Sequence, residues 1–225
     1  MTITTTTLFR VAGVAAVLAG LIFIGVQINH PYLDATSITT TDVMVRNSLK
    51  MLMAALALAG ITGVYLRQVT KIGVLGLLGY VLFAAGYLSM LGTEYVAALV
   101  LPSIAHSATA YVNDVIAVAN NRPATGDIGL MQTAIRFTGI TYVGGGFIFA
   151  IALFRANVLA RWAAALLALG TLATIAVGLV PQYERLFALP TGLALVGLGY
   201  SLWREQRAPA APPILNPARF GSRDP

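Results

Sequence analysis

Residues 72–93 read IGVLGLLGYVLFAAGYLSMLGT, without a charged side chain or a histidine. A helix of about 20 apolar residues crosses the hydrocarbon core of a bilayer. Outward from this stretch, the chain contains five more of the same kind. They are 11–29, 51–66, 137–154, 162–183 and 186–203. The sequence therefore predicts an all-α, multi-pass membrane protein.

The predicted architecture is a polytopic bundle of six transmembrane helices. We expect 1–204 to form the transmembrane domain and the proline-rich segment 205–225 to be a disordered cytoplasmic tail. Asp42 and Asp127 precede the second and fourth helices and are their predicted N-caps. The predicted spans are 8–28, 43–66, 72–92, 128–154, 159–180 and 186–203.

The composition excludes several classes of protein. Charged residues make up 10% of the chain, against about 25% in soluble domains. The absence of cysteine excludes disulfides and thiolate chemistry. The net charge of +6 is explained by topology, because nine basic residues fall on the inner side and five on the outer side if the N-terminus is cytoplasmic. This bias favours cytoplasmic N- and C-termini, and no nucleic-acid partner is predicted.

The connection 93–126 is the longest and is not loop-like in composition. Its apolar residues recur at helical spacing, and Pro102 suits a first helical turn. We interpret 103–120 as an amphipathic helix that caps the outer face of the bundle. The alternative is a seventh span over 95–113, where there is no acidic or basic side chain apart from His106.

Two parts of the sequence suggest an internal duplication. Residues 10–23 align with 136–149 without a gap, and six of the fourteen positions are identical. Three spans in each half would insert the halves in opposite orientations, an arrangement found in many transporters. Glycine-rich apolar helices also match by chance, so both interpretations stay open. The glycines of the third, fourth and sixth spans are expected first of all to let helices approach closely.

Polar side chains concentrate in the outer half of the predicted bundle. Asp42, Arg46 and Lys50 are spaced four residues apart on one helix. A charge at membrane depth costs about 2.5–3.5 kcal/mol on insertion scales, so it usually faces a cavity or a partner. The basic excess favours an anionic or amphipathic ligand. The predicted ligand-binding residues are Arg46, Asn47, Lys50, Glu94, Gln132, Arg136 and Tyr142.

A structural explanation of the same residues is also open. Arg46 and Lys50 could extend to the lipid headgroups, which long basic side chains do readily. Arg136 could form an ion pair with Glu94. Under that explanation the outer half holds no pocket.

Metal and catalytic chemistry have little support. His30 and His106 are the only histidines, and they are weak candidates for a metal or haem site because no repeated ligand spacing accompanies them. Neither Ser103 nor Ser107 lies in a nucleophile motif. We predict no catalytic residue, no metal and no cofactor.

Two segments resemble a known family. Residues 10–13 read RVAG, and 153–170 read LFRANVLARWAAALLALG. They resemble a family of small, uncharacterised bacterial multi-pass membrane proteins, catalogued as a domain of unknown function. The resemblance covers about a third of the chain and implies a bacterial inner membrane. It implies no substrate and no site residues.

These observations favour binding or translocation of a small anionic or amphipathic solute through an outward-facing polar pocket. A non-catalytic accessory or sensory subunit is the first alternative, and a membrane-embedded enzyme is the second. The predicted partners are the lipid bilayer and a small-molecule ligand. A homo-oligomer or a membrane partner protein stays open.

Overall fold

The structure, a computed structural model, describes residues 4–176, 186 and 188–205. Within these ranges the chain is helical and contains no strand. A 3-10 turn, Ser37–Thr39, precedes the second helix, and a π-helical turn, Val96–Val100, follows it. The helices are α1 (Thr5–Gly25), α2 (Thr41–Tyr95), α3 (Leu101–Ile104), α4 (Thr109–Ala119), α5 (Leu130–Ala156), α6 (Arg161–Ala176) and α7 (Ala188–Glu205).

Three helical segments are long and apolar enough to cross a membrane: Thr5–Gly25, Thr41–Ile104 and Leu130–Ala156. Large apolar side chains on their outer faces are exposed, for example Val74 and Ile140. An apolar outer surface of this kind is what a bilayer would cover. The chain therefore has the character of a membrane protein, and the count of six spans stays a prediction.

The second and third predicted spans, 43–66 and 72–92, belong to the single helix α2. The helix is interrupted at Gly73, whose φ of 65° and ψ of −169° are not helical. Such a φ is readily adopted only by glycine. The arms 41–72 and 74–95 fold back on each other, since Tyr80 stacks on Tyr65 with ring centroids 4.4 Å apart. A one-residue break thus replaces the predicted turn at 67–71.

The helices form a ring in which each packs against its neighbours. The order is α1, the first arm of α2, the second arm of α2, α5, α6 and α7, and α7 closes the ring against α1. The second arm of α2 runs antiparallel to α5, since Gly79 meets Phe149 and Gly86 meets Tyr142, so α2 and α5 begin at the same end of the bundle. We call the end that holds Asp42 and Leu130 the cavity end, and the end that holds Arg67 and Glu205 the opposite end.

Glycines set the closest contacts of this ring. A Cβ on Gly86 would lie 2.8 Å from the backbone nitrogen of Tyr142, and a Cβ on Gly13 would lie 2.7 Å from the carbonyl oxygen of Gly199. Neither position can accept a larger residue without a shift of backbone. These contacts join α2 to α5 and α1 to α7, the two most extensive interfaces of the ring, as expected for small residues between membrane helices.

Several predicted boundaries were wrong by a few residues. Helix α2 starts at Thr41 with Thr40 as its N-cap, so Asp42 lies in the first turn. Helix α5 starts at Leu130 after Gly129, and Asp127 instead accepts a 2.7 Å hydrogen bond from the Gly129 backbone. Sequence patterns locate helix ends only to within a few residues.

The predicted cap helix 103–120 is also broken into two pieces. Helix α3 ends at Ile104, and α4 begins at Thr109 after Ala108, whose φ of −133° and ψ of 45° are not helical. The backbone of Ala108 donates to the carbonyl of Ile104 at 2.8 Å and closes the turn. The predicted tail from 206 onward and the end of the span 159–180 lie outside the described residues. The duplication stays a prediction.

Candidate functional site

A cavity of about 950 Å³ lies at the cavity end of the bundle. It is enclosed by α2, α4 and α5, with contributions from α1 and α6. Five of the seven predicted ligand-binding residues line it. They are Asn47, Lys50, Glu94, Arg136 and Tyr142. The structure thus brings residues that are almost 100 positions apart in sequence to one space.

The walls of the cavity are mainly apolar. Helix α4 forms the roof with Val115, Ile116 and Val118, and α5 supplies Ile135 and Val143. Since the roof comes from the segment interpreted as a cap helix, that segment's apolar periodicity is explained by the cavity beneath it. Further apolar lining residues are Phe23, Leu33, Ile38, Met90, Leu101, Met131, Ile140 and Ile175.

Asn47 and Lys50 are positioned by hydrogen bonds. Asn47, which is 2% exposed, donates from Nδ2 to the carbonyl oxygen of Ala97 at 3.3 Å. Ala97 lies in the π-helical turn, a local widening of the helix that is frequent at functional sites. The Lys50 Nζ donates to Asn47 Oδ1 at 3.4 Å. The amide of Asn47 therefore links the π-helical turn to the ammonium group.

Glu94 and Arg136 face the cavity without a direct partner. Within the part of the chain that the structure describes, neither side chain makes a hydrogen bond, and the ion pairs involve other residues. Lys50 is the charge that acts on Glu94. The open alternative of an Arg136–Glu94 ion pair is thus absent from the described residues.

Arg46 was predicted to bind the ligand, but it is not among the residues that line the cavity. Its guanidinium donates to the carbonyls of Val26 at 3.1 Å and Ile28 at 2.8 Å, and its Nε donates to Asp42 Oδ2 at 2.9 Å. The last carbonyls of a helix lack intrahelical donors and carry partial negative charge. Arg46 therefore completes the C-terminal end of α1. It does not extend to the lipid headgroups.

Gln132 also lies outside the lining. It is in the first turn of α5, where its backbone nitrogen donates to the carbonyl of Gly129 at 3.2 Å. The spacing of four residues to Arg136 places both on nearby faces of the helix, but only Arg136 reaches the cavity.

The roof is held in place by Asp114, which is 7% exposed. Its carboxylate accepts hydrogen bonds from the Thr125 backbone at 2.8 Å, the Thr125 hydroxyl at 2.9 Å and the Gly126 backbone at 2.9 Å. Because these bonds favour the charged form, they lower the pKa of Asp114 from its ordinary value. Asp114 thereby ties α4 to the loop before α5.

Three buried hydroxyl groups lie below the cavity, and the sequence analysis named Tyr142 among them but missed Tyr87 and Thr191. Tyr87 and Thr191 are 0% exposed and Tyr142 is 5% exposed. The hydroxyls of Tyr87 and Thr191 lie beside that of Tyr142, and none of the three has a partner in the described chain at the geometry of a normal hydrogen bond. Tyr87 precedes Glu94 by seven residues and so shares its helix face; this spacing is the signal that could have identified it.

The histidines do not converge on a metal site. His30 Nδ1 lies 2.9 Å from the carbonyl oxygen of Pro31, and His106 lies in the turn between α3 and α4. Among the described residues, no group of three histidine or acidic side chains is placed to hold a metal ion.

Comparison of the chain with protein-family models, with curated proteins and with solved structures found no match. The resemblance to a bacterial membrane-protein family therefore stays a prediction. Any functional inference rests on the geometry of the cavity.

Proposed function

We propose that this protein binds a small amphipathic molecule with an anionic head in the cavity between α2, α4 and α5. The observation that carries the proposal is the meeting of Lys50 and Arg136 in a largely apolar space, with the Arg136 side chain unpaired among the described residues. A basic side chain in such a place is expensive unless a ligand or partner compensates it.

The charges of the cavity favour a head group with one negative charge. Lys50, Arg136 and Glu94 are the charged residues among the described lining, so the local balance is one excess positive charge. Guanidinium and ammonium groups bind carboxylates through charge-assisted hydrogen bonds. A carboxylate or similar anion would bring the cavity to neutrality, and the apolar walls would hold its hydrocarbon part.

Two lining residues at the outer surface of the bundle support entry of the ligand from the bilayer. Ile140 and Ile175 line the cavity and are also 73% and 61% exposed. Their exposed faces lie on the surface that lipid would contact. An amphiphile dissolved in the membrane could therefore reach the cavity sideways, and translocation would require only that its head group also leave toward water.

We further propose six spans, with both termini on the cytoplasmic side of a bacterial inner membrane. The basic bias of the sequence supports this orientation. Because the chain has no cysteine, Asp127→Cys and Arg155→Cys each introduce a single thiol at opposite ends of the bundle. In intact cells an impermeant maleimide should label only Asp127→Cys; labelling of Arg155→Cys alone would reverse the orientation.

Binding is tested with radiolabelled stearate as the probe, on the full chain reconstituted in lipid nanodiscs. Lys50→Met removes the ammonium group and keeps most of the apolar stem, and Arg136→Gln removes the guanidinium charge. Loss of a charge-assisted hydrogen bond of about 1.5–3 kcal/mol weakens binding about 10- to 100-fold. The readout is the dissociation constant from scintillation proximity.

Matched controls separate local from general effects of charge. Lys71, the only other lysine, and Arg155 are exposed residues at the opposite end. Lys71→Met and Arg155→Gln should leave stearate affinity unchanged. Equal losses in all four variants would attribute binding to the net charge of the protein and contradict the proposed site. Unchanged affinity in Lys50→Met and Arg136→Gln would do the same.

A further inference from the structure

At the floor of the cavity lies a cluster of polar side chains that the proposed binding of an anionic head group does not explain. Its members are the hydroxyls of Tyr87, Tyr142 and Thr191, contributed by α2, α5 and α7. Each oxygen is buried and has no partner in the described chain at the geometry of a normal hydrogen bond. Buried hydroxyls are normally satisfied, so three on adjacent side chains indicate a missing partner.

Tyr142 connects the cluster to the cavity, and Tyr87 and Thr191 lie behind it, outside the lining. Tyr142 lines the cavity, and its ring contacts that of Tyr87 edge-on, with centroids 5.6 Å apart. Thr191 faces α6, because a Cβ built on Gly170 would contact the Thr191 backbone nitrogen at 2.6 Å. The three hydroxyls therefore come from different helices to the inner limit of one space.

The depth of the cluster separates it from the charged residues. Tyr142 follows Arg136 by six residues, or about 9 Å along α5, and Tyr87 precedes Glu94 by seven, or about 10 Å along α2. A head group held by Lys50 and Arg136 would leave the rest of the ligand pointing toward the hydroxyls. All three hydroxyls can donate, so the complementary group is an acceptor.

We infer that the ligand of this cavity, on the function proposed above, is bipolar: beyond its anionic head it carries an uncharged oxygen that accepts a hydrogen bond from the Tyr142 hydroxyl, the member of the cluster that lines the cavity. The ligand class is thus an acidic amphiphile with a mid-chain carbonyl. A plain saturated fatty acid would leave the Tyr142 hydroxyl without a ligand partner.

The experiment compares stearate with a series of stearates that each carry one ketone at a different chain position. In the unmodified protein one ketone position should bind about 3- to 10-fold more tightly than stearate, the gain of a neutral hydrogen bond. Tyr142→Phe removes one donor without changing the shape of the ring. In that variant the preference for the ketone should disappear, so that the ketone and stearate bind with equal affinity.

Tyr80→Phe is the matched control, because the Tyr80 hydroxyl already lies 3.0 Å from the Thr62 hydroxyl. It should lower the melting temperature of the ligand-free protein and leave the ketone preference intact. Tyr142→Phe should not lower the ligand-free melting temperature, since an unsatisfied hydroxyl contributes no stability.

The outcomes distinguish this inference from the proposed function. Stearate binding that depends on Lys50 and Arg136, with no preference for any ketone, overturns the inference and leaves the proposed function standing. A lower melting temperature for Tyr142→Phe with an unchanged ketone preference assigns the hydroxyls to a structural water and also overturns it. Binding of none of the probes overturns the proposed function and the inference together.

Discussion

Helices α2 and α5 meet along two sections that differ sharply. In the inner section, glycines bring the backbones together, Gly79 onto Phe149 and Gly86 onto Tyr142. In the section toward the cavity end, Met90 and Glu94 face Ile135 and Arg136 across the cavity. The same two helices thus provide a rigid contact and a binding space. The difference teaches that residue size, rather than polarity alone, decides where a membrane bundle opens.

A hydrogen bond between Ser89 and Thr138 marks the boundary between the two sections. The Ser89 and Thr138 hydroxyl oxygens lie 2.6 Å apart. Because the Thr138 hydroxyl donates to the Ala134 carbonyl at 2.9 Å, Ser89 is the donor across the interface. Thr138 also lines the cavity. The bond therefore holds the helices together at the point beyond which they separate.

The largest expected change in the free energy of unfolding comes from a substitution in the section where glycines bring α2 and α5 together. Gly145→Ala places a methyl group against the backbone of α2 at Phe83, and overpacking of this kind costs about 1–3 kcal/mol. The neighbouring Gly144 has open space around it and is the matched control. Gly144→Ala should stabilise α5 by about 0.5–1 kcal/mol through lower conformational entropy of the unfolded chain. Urea unfolding in mild detergent measures both, and equal values would contradict the packing assignment.

A smaller loss of stability is expected when the hydrogen bond between Ser89 and Thr138 is removed. Thr138→Val removes the acceptor for Ser89 and should cost about 0.5–1.5 kcal/mol. Ser89→Ala and the double variant complete a double-mutant cycle, which isolates the energy of the bond itself. A coupling energy of zero would show that the 2.6 Å contact does not hold the helices at this point.

The smallest effect is a loss of stability in the roof of the cavity, which is present at neutral pH and fades in acid. The native pKa of Asp114 is lowered, so its stabilising contribution is complete above the unfolded value and is lost as the pH falls through the lower native value. We expect Asp114→Asn to unfold at a lower temperature than the unmodified protein at pH 7. The gap should narrow as the pH falls below about 4.

Limited cleavage by elastase, which cuts after small residues such as Ala124 in the loop held by Asp114, checks the same effect locally. Cleavage should be faster in Asp114→Asn at neutral pH. Asp127→Asn is the control, because Asp127 holds a single backbone bond within its own loop. The same cleavage rate in Asp114→Asn and in the unmodified protein would show that the carboxylate does not fix the roof.

The sequence predicted the helical class and much of the cavity because both follow from the pattern of apolar and charged residues. Lys50, Glu94 and Arg136 stand out as charges at the ends of apolar stretches. Tyr87 and Thr191 do not, since both are uncharged residues within apolar stretches. Their lack of a partner is visible only when three helices are assembled.

Arg46 is the opposite case, a charged residue that its spacing suggested for the cavity but whose side chain lies elsewhere. Its spacing from Lys50 placed both on one face, but the end of α1 lies beside the first of them and takes its guanidinium. Where α1 ends relative to α2 depends on helix packing, which periodicity does not encode. The same holds for the break at Gly73, because glycines within apolar helices are common and only this one needs a positive φ among those of α2.

The break at Gly73 also has a consequence for biogenesis. Only one residue separates the arms 41–72 and 74–95. The chain therefore has no loop that would let the first arm insert into the membrane before the second is synthesised. If both arms cross the bilayer, as proposed, they would enter it together as a preformed helical hairpin. On the proposed orientation, Arg67 and Lys71 are the charges that stay on the cytoplasmic side.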